Sequence, residues 1–284
     1  MLILIYTHTY MHTYIYNYIH TYIHTYIHAY IYTCIGKHDA PIRCINSIAD
    51  MNMVATGSWD KSVKLWDARQ PNPAAQVQLE ERVYAMDACN PAIVIGTADR
   101  NFHVYDLTAG LSKCLAKYIS PTNYQTRCIS IFHDKNGFAA GSIEGRCAIE
   151  NFKEMGNTTK APNSSNFVFK CHRVKQKISH GNHESSDIYG VNAISFTNLN
   201  TFATGGSDGN IVIWDKIGKA RLQTLDRFEK QTTISALTFN PMSNLLFYAT
   251  SYDWSMGQNH ELVNSPNKIW IHPVQPNEIT PKKK

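Results

Sequence analysis

The stretch Gly57-Ser58-Trp59-Asp60-Lys61-Ser62-Val63-Lys64-Leu65-Trp66-Asp67 decides how the chain is read. It has the form strand, tight corner, strand. Ser58 closes the first strand, Trp59-Asp60-Lys61 turn the corner, and Val63 and Leu65 alternate with polar neighbours up to Trp66-Asp67. The same grammar returns at Gly205-Gly206-Ser207-Asp208-Gly209-Asn210-Ile211-Val212-Ile213-Trp214-Asp215, where Ser207 reads as the counterpart of Ser58. Asp208 stands before Trp214 at the distance that separates Asp60 from Trp66. Thr97-Ala98-Asp99 keeps the spacing with Tyr105 in the Trp position, and Ser142-Ile143-Glu144 keeps it with Glu150 there. Ser251-Tyr252-Asp253 opens a fifth copy whose next strand is delayed by an insertion.

The anchors Asp60, Asp99, Glu144, Asp208 and Asp253 lie 39, 45, 64 and 45 residues apart. A period of about 40–45 residues ending in Trp-Asp marks a WD-repeat β-propeller, an all-β fold in which each repeat is one four-stranded blade. Five blades are legible. His38, 28 residues before Trp66, stands where such repeats open on a His. A buried relay is expected in which His38 bridges Ser58 and Asp60 while Trp66 donates its indole N–H, fixing corner and register. His172, Ser207, Asp208 and Trp214 repeat the set. Asp, His and Ser are therefore structural here, not a catalytic triad.

Residues 1–33 differ in kind. Tyr-Ile-His-Thr recurs through Tyr18-Ile19-His20-Thr21, Tyr22-Ile23-His24-Thr25 and Tyr26-Ile27-His28, a low-complexity segment read as disordered or as a translated short nucleotide repeat. His and Thr interrupt every apolar run, which argues against a membrane span or a secretory signal. Residues 34–276 hold the blades, and 277–284 read as a basic tail. Residues 154–165 and the His-rich stretch through Ser186 read as polar loops. Seven cysteines form no C-x-x-C pair and suit reduced thiols. The net charge of +5 permits an acidic partner without requiring one.

Gly205-Gly206-Ser207-Asp208-Gly209 matches the nucleophile elbow of serine hydrolases. That motif requires a helix next, and Ile211-Val212-Ile213-Trp214 is a strand. Cys171, His172, His180 and His183 fit no zinc-finger spacing. No phosphate-binding glycine loop is present. No cofactor, metal, small-molecule substrate or enzymatic activity is expected. What remains is surface: Trp59, Arg146, Arg173, Asp253 and Trp254 fall on corners that gather at one end of the blades. Arginine forks beside exposed Trp suit a peptide with acidic residues and an apolar anchor.

From about residue 37 onward the chain resembles the WD-repeat mRNA export factors of the nuclear pore, and more distantly their sister family of spindle-checkpoint WD-repeat proteins. The resemblance rests on Thr56-Gly57-Ser58-Trp59-Asp60-Lys61, Gln125-Thr126-Arg127-Cys128, Gly141-Ser142-Ile143-Glu144-Gly145-Arg146, Phe169-Lys170-Cys171-His172-Arg173 and Ser251-Tyr252-Asp253-Trp254-Ser255. It implies a seven-bladed ring binding a GLEBS segment of a phenylalanine-glycine nucleoporin. Paired acidic residues of that ligand would meet Arg173, with Trp254 beside the groove. It further implies contact with single-stranded RNA, a link to the mitotic spindle, and a place at the nuclear envelope with a cytoplasmic pool. The two N-terminal blades of the family have no counterpart in residues 1–33.

Overall fold

The computed structural model describes residues 2–7, 31–155, 165–177, 184–225, 232–253, 257 and 267–281. Strands β1 (Leu2–Thr7) and β2 (Ile31–Lys37) form an antiparallel pair. Ile35 packs on Trp66, and Gly36 passes so close to that indole that a Cβ would sit 1.9 Å from it. The chain thus joins the blades from Ile31.

Four-stranded antiparallel blades follow in order. The first is β3 (Ile42–Ile48), β4 (Met53–Ser58), β5 (Ser62–Asp67) and β6 (Ala75–Gln78). The second is β7 (Val83–Cys89), β8 (Ala92–Thr97), β9 (Asn101–Asp106) and β10 (Cys114–Ile119). The third is β11 (Thr126–Ile131), β12 (Gly137–Ser142), β13 (Arg146–Asn151) and β14 (Phe167–Lys170). A hairpin, β15 (Arg173–Lys177) and β16 (Glu184–Ile188), intervenes. The fourth blade is β17 (Val191–Phe196), β18 (Thr201–Gly206), β19 (Ile211–Asp215) and β20 (Ala220–Leu225). Among the described residues the fifth has three strands: β21 (Thr233–Phe239), β22 (Leu245–Ser251) and β23 (Lys268–Pro273). The innermost strands pack in series, β3 on β7, β7 on β11, β11 on β17 and β17 on β21. The result is five propeller blades, an all-β WD-repeat architecture.

The second strand of each blade is sandwiched between neighbouring sheets, so it reads as small and apolar throughout. β8, β12 and β18 are buried at every residue. Glycine is required where the next blade presses in. A Cβ on Gly57 would lie 2.7 Å from Val83, and one on Gly205 would lie 2.5 Å from Ile234. Aromatic rings fill the rest: Phe102 meets Phe138 edge to face at 5.2 Å, and Phe169 meets Trp214 at 4.7 Å.

The inner strands are also tied by a buried carboxylate. Asp87 of β7 accepts from Asn46 Nδ2 of β3 at 2.9 Å and from the Ile131 amide of β11 at 2.7 Å. One side chain thus holds three blades, and burial pushes its carboxyl above the ordinary value.

Three sequence expectations change. The stretch expected to be a polar loop through Ser186 instead enters the β15–β16 hairpin, which pairs Arg173 with Ile188 and Val174 with Asp187. Its polar composition hid a ladder carried by backbone hydrogen bonds. The basic tail starts later than residue 277. Helix α1 (Pro276–Ile279) buries Glu278 and Ile279 against the fourth blade, and the Ile279 carbonyl accepts from Thr201 Oγ1 at 3.0 Å. Finally, the fifth anchor is out of step. In every blade the first two strands share a bulge, and the residue opposite its leading edge is Ser58, Thr97, Ser142, Gly206 or Thr250. Two residues on stand Asp60, Asp99, Glu144 and Asp208, but in the fifth blade Tyr252. Asp253 falls one residue late because β22 runs on to Ser251. Residues 8–30 lie outside the described residues.

Candidate partner-binding face

The corners between second and third strands are built alike. Each donates a backbone N–H to the entry of its own first strand: Trp59 to Pro41, Ala98 to Arg82, Ile143 to Gln125 and Ser207 to Gly190. This pattern makes Ser207 the counterpart of Trp59, not of Ser58. Ser207 Oγ exchanges hydrogen bonds with the Asn192 amide at 3.2–3.3 Å, in a strand–turn–strand setting. Ser58 Oγ instead clamps its own corner, donating to the Ala40 and Pro41 carbonyls and accepting from the Asp60 amide.

The centre of the relay is a threonine. His38 Nε2 lies 2.7 Å from Thr56 Oγ1, and His38 Nδ1 lies 2.7 Å from Asp60. Trp66 Nε1 donates to the same Thr56 oxygen at 2.7 Å. With the indole proton occupying Thr56 as acceptor, the threonine hydroxyl donates to His38 Nε2, and the imidazole proton sits on Nδ1, donating to Asp60. Burial holds His38 below its ordinary pKa, opposing the pull of Asp60, and keeps it neutral. Burial would raise Asp60, but hydrogen bonds from Ser62, His38 and backbone amides outweigh it and hold the carboxyl at about 2. The fourth blade repeats the geometry. His172 contacts Asp208 and Thr204 at 2.8 Å each, and Trp214 donates to Thr204 at 2.9 Å. Thr56 and Thr204 precede their aspartates by the same interval, a signal present in the sequence but masked by the nearer serines.

The third blade lacks the relay. Glu150 stands in the Trp position, near Tyr118 Oη at 3.4 Å and accepting from Asn166 Nδ2 at 3.2 Å. Burial raises it to about 7, against the pull of the Tyr118 hydroxyl. A carboxyl raised in the folded state contributes stability fully present below pH 4.5 and lost as pH rises toward 7. Glu150→Gln should therefore raise Tm relative to the parent chain at pH 8 and not at pH 4. An equal difference at both pH values, measured by thermal unfolding, would remove the carboxyl from that role.

The binding residues expected from the sequence divide into two groups. Arg146 and Arg173 converge on the Ile143–Glu144 corner. Arg146 Nε pairs with the Glu144 carboxylate at 3.3 Å, and Arg173 Nη2 donates to the Glu144 carbonyl at 3.0 Å. Arg173 Nε is buried with no partner among the described residues. Beside them Ile143, Val174 and Ile188 are exposed. Gly145 at φ +61° permits the approach, since a Cβ there would lie 2.7 Å from the Tyr189 carbonyl. Trp59 sits two blades away, edge to face with Tyr84 at 6.3 Å. Asp253 is half-buried at the end of β22, and Trp254 lies outside the described residues.

Among the described residues no group of His, Cys, Asp or Glu is placed to hold a metal ion. Cys171 and His172 are buried, with His172 engaged in its relay, while His180 and His183 lie outside the described residues. Among the described residues no helix is long and apolar enough to cross a membrane.

The family model for the WD domain, G-beta repeat, matches residues 29–67 and 174–215, which end on Trp66-Asp67 and Trp214-Asp215. The chain is 42% identical over 254 residues to the Poly(A)+ RNA export protein of Schizosaccharomyces pombe, covering 88% of this chain and 68% of that one. It is 42% identical to the mRNA export factor GLE2 of Chaetomium thermophilum, covering 87% of this chain and 66% of that one. The Mitotic checkpoint protein BUB3.1 of Arabidopsis thaliana is 36% identical, covering 88% of this chain and 71% of that one. The chain spans about two thirds of the length of these relatives. With the blades, the relays and this identity together, the chain belongs to the WD-repeat family of mRNA export factors, to which the checkpoint proteins are sister.

Proposed function

We propose that the chain is a non-enzymatic adaptor that holds a GLEBS-type nucleoporin segment at the nuclear pore in support of mRNA export. The observation that carries this is Arg173: half-buried and anchored through Nη2 to the Glu144 carbonyl, it stands beside Arg146 at one corner. A carboxylate entering there meets a guanidinium already oriented, so little side-chain freedom is lost on binding. The exposed Ile143, Val174 and Ile188 supply apolar contact on the same face. The resemblance adds Trp254, which lies outside the described residues, to the residues that meet the ligand. The names of the export relatives support the nucleus and nuclear envelope as the working place, with a cytoplasmic pool as the resemblance implies.

Pull-down with a GLEBS peptide tests the proposal. Arg173→Glu should weaken capture by at least about tenfold, since reversing a desolvated charge leaves like charges facing each other. Undiminished capture by the folded variant would remove Arg173 from the site. The identity to a mitotic checkpoint protein favours a second reading, a kinetochore adaptor of the same fold. Localisation separates the two: the nuclear rim in interphase for the first, unattached kinetochores for the second.

A further inference from the structure

Three hydroxyl residues of the chain stand directly before a proline: Ser120, Ser265 and Thr280. Two of them, Ser265 and Thr280, also have a lysine three residues further on, Lys268 and Lys283. Ser120 is 5% exposed, and its Oγ shares a hydrogen bond of 2.8 Å with Thr122 Oγ1. Ser265 lies outside the described residues. Thr280 alone among the described residues joins the full pattern to an exposed side chain. It follows α1 and holds φ −77° and ψ 126°, an extended backbone. Pro281 imposes that conformation, because its ring disfavours a helical residue before it. Pro281 also has no N–H to spend on a helix or a sheet. The segment therefore already has the form that the substrate groove of a proline-directed kinase accepts: an extended hydroxyl residue, an imide at the next position, and a cation two residues beyond. Residues 278 and 279, which are buried, precede the acceptor and lie outside the positions that this pattern reads.

The hydroxyl itself has a structural task. Thr280 Oγ1 donates to the Pro276 carbonyl at 2.5 Å, and the Thr280 amide donates to the same oxygen at 3.0 Å. These bonds close the end of α1. Two residues earlier, the Glu278 carboxylate accepts from the Gln275 amide at 2.9 Å and lies 3.0 Å from His272 Nε2. An esterified Oγ has no proton to give Pro276, and it brings a charge of about −2 beside that carboxylate and the helix-end carbonyls. What holds α1 to the blades is slight by comparison: the Ile279 side chain in the core shared by the fourth and fifth blades, and the Thr201 hydroxyl on the Ile279 carbonyl. A short element with so few ties opens before the sheets do.

We infer that Thr280 is a phosphoryl acceptor for a proline-directed kinase, and that the phosphate releases α1 from the fourth blade. Thr280 Oγ attacks the γ-phosphorus of kinase-bound ATP, the bond from that phosphorus to the bridging oxygen breaks, ADP leaves, and the hydroxyl proton passes to the carboxylate base of the kinase. The inference stands apart from the adaptor reading and uses none of its residues. The test is incubation of the folded full chain with a purified cyclin-dependent kinase and ATP labelled on the γ-phosphate, with the label located by peptide mass spectrometry. Label should fall on Thr280 and vanish from that peptide in Thr280→Ala. Lys283→Ala should slow labelling about tenfold, the worth of one charged contact in the groove. A folded chain that takes no label on Thr280, or takes it only after denaturation, would overturn the site. Hydrogen exchange of the phosphorylated chain then reads the release. The amides of residues 277–280 should exchange at least about tenfold faster, with those of β18 unchanged. Thr280→Val, which loses the hydroxyl without gaining charge, should accelerate them less. Exchange unaltered by phosphate, or altered equally by valine, would overturn release of the helix by charge.

Discussion

Replacing His172 by alanine is expected to lower stability by about 3 kcal/mol and to abolish capture of the GLEBS peptide as well. The imidazole is fully enclosed, between an Asp208 carboxylate that is also buried and the Thr204 hydroxyl that accepts the Trp214 indole proton. Its loss leaves a buried hydroxyl without an acceptor and a buried carboxylate short of a donor. It also opens a void beside Gly206, whose Cβ position lies 2.3 Å from the imidazole. The second effect comes from position. His172 holds φ +47°, and its carbonyl accepts the Tyr189 amide at 3.1 Å, so it sets the direction in which the next residue, Arg173, leaves the turn. His38→Ala is the matched control. It breaks the same relay in the first blade, where no arginine follows, and should cost similar stability while sparing the peptide. Urea unfolding read beside pull-down separates the effects. A His172→Ala chain that binds normally would show that the relay does not aim Arg173.

Asp87→Ala is expected to cost about 3 kcal/mol, and Asp87→Asn much less. Alanine strands the Ile131 amide and the Asn46 side-chain amide, both of which now reach Asp87 from neighbouring blades. Asparagine keeps an oxygen for Ile131, and its new N–H group finds Asn46 Oδ1, which is buried and lacks a partner. The pH dependence differs too. Because burial raises the Asp87 carboxyl in the folded chain, its contribution is complete below the ordinary carboxylate range and declines as pH rises through it. The deficit of Asp87→Asn should therefore shrink between pH 4 and pH 7. Denaturant midpoints at both pH values check this, and a deficit of Asp87→Asn equal to that of Asp87→Ala would exclude the oxygen as a tie between blades.

The blade period was legible because Trp66 and Trp214 close strands at a fixed distance from Asp60 and Asp208. Residue-level register was harder. Ser58 and Ser207 look alike in sequence, yet the ladders set Ser58 against Gly206 and Ser207 against Trp59. Asp253 slipped by one for the same reason: a longer β22 moves the corner without altering composition. Thr56 and Thr204 escaped notice because a threonine in a strand ordinarily reports β propensity and nothing more. Of the surface residues, Arg146 and Arg173 converge on one corner, but their partnership through Glu144 depends on a left-handed glycine and a hairpin. Arg43, Tyr84 and Arg127, which the bulges leave outside the ladders of the first three blades, could not be grouped at all, since a bulge is a property of two paired strands and each strand alone looks regular.

The repeated bulge also bears on how such a protein can change. Each extra residue stands outside the ladder of its strand pair; Asn192 and Ser235 tie back to the Ile234 and Ala249 carbonyls, whereas Arg43, Tyr84 and Arg127 stand at the rim. Exchanging Arg43 for an acid would rewrite what the rim attracts while every interlocking strand stayed as it was. A scaffold whose exposed bulge positions can be exchanged singly, without disturbing the ladder, can change its company without changing its skeleton.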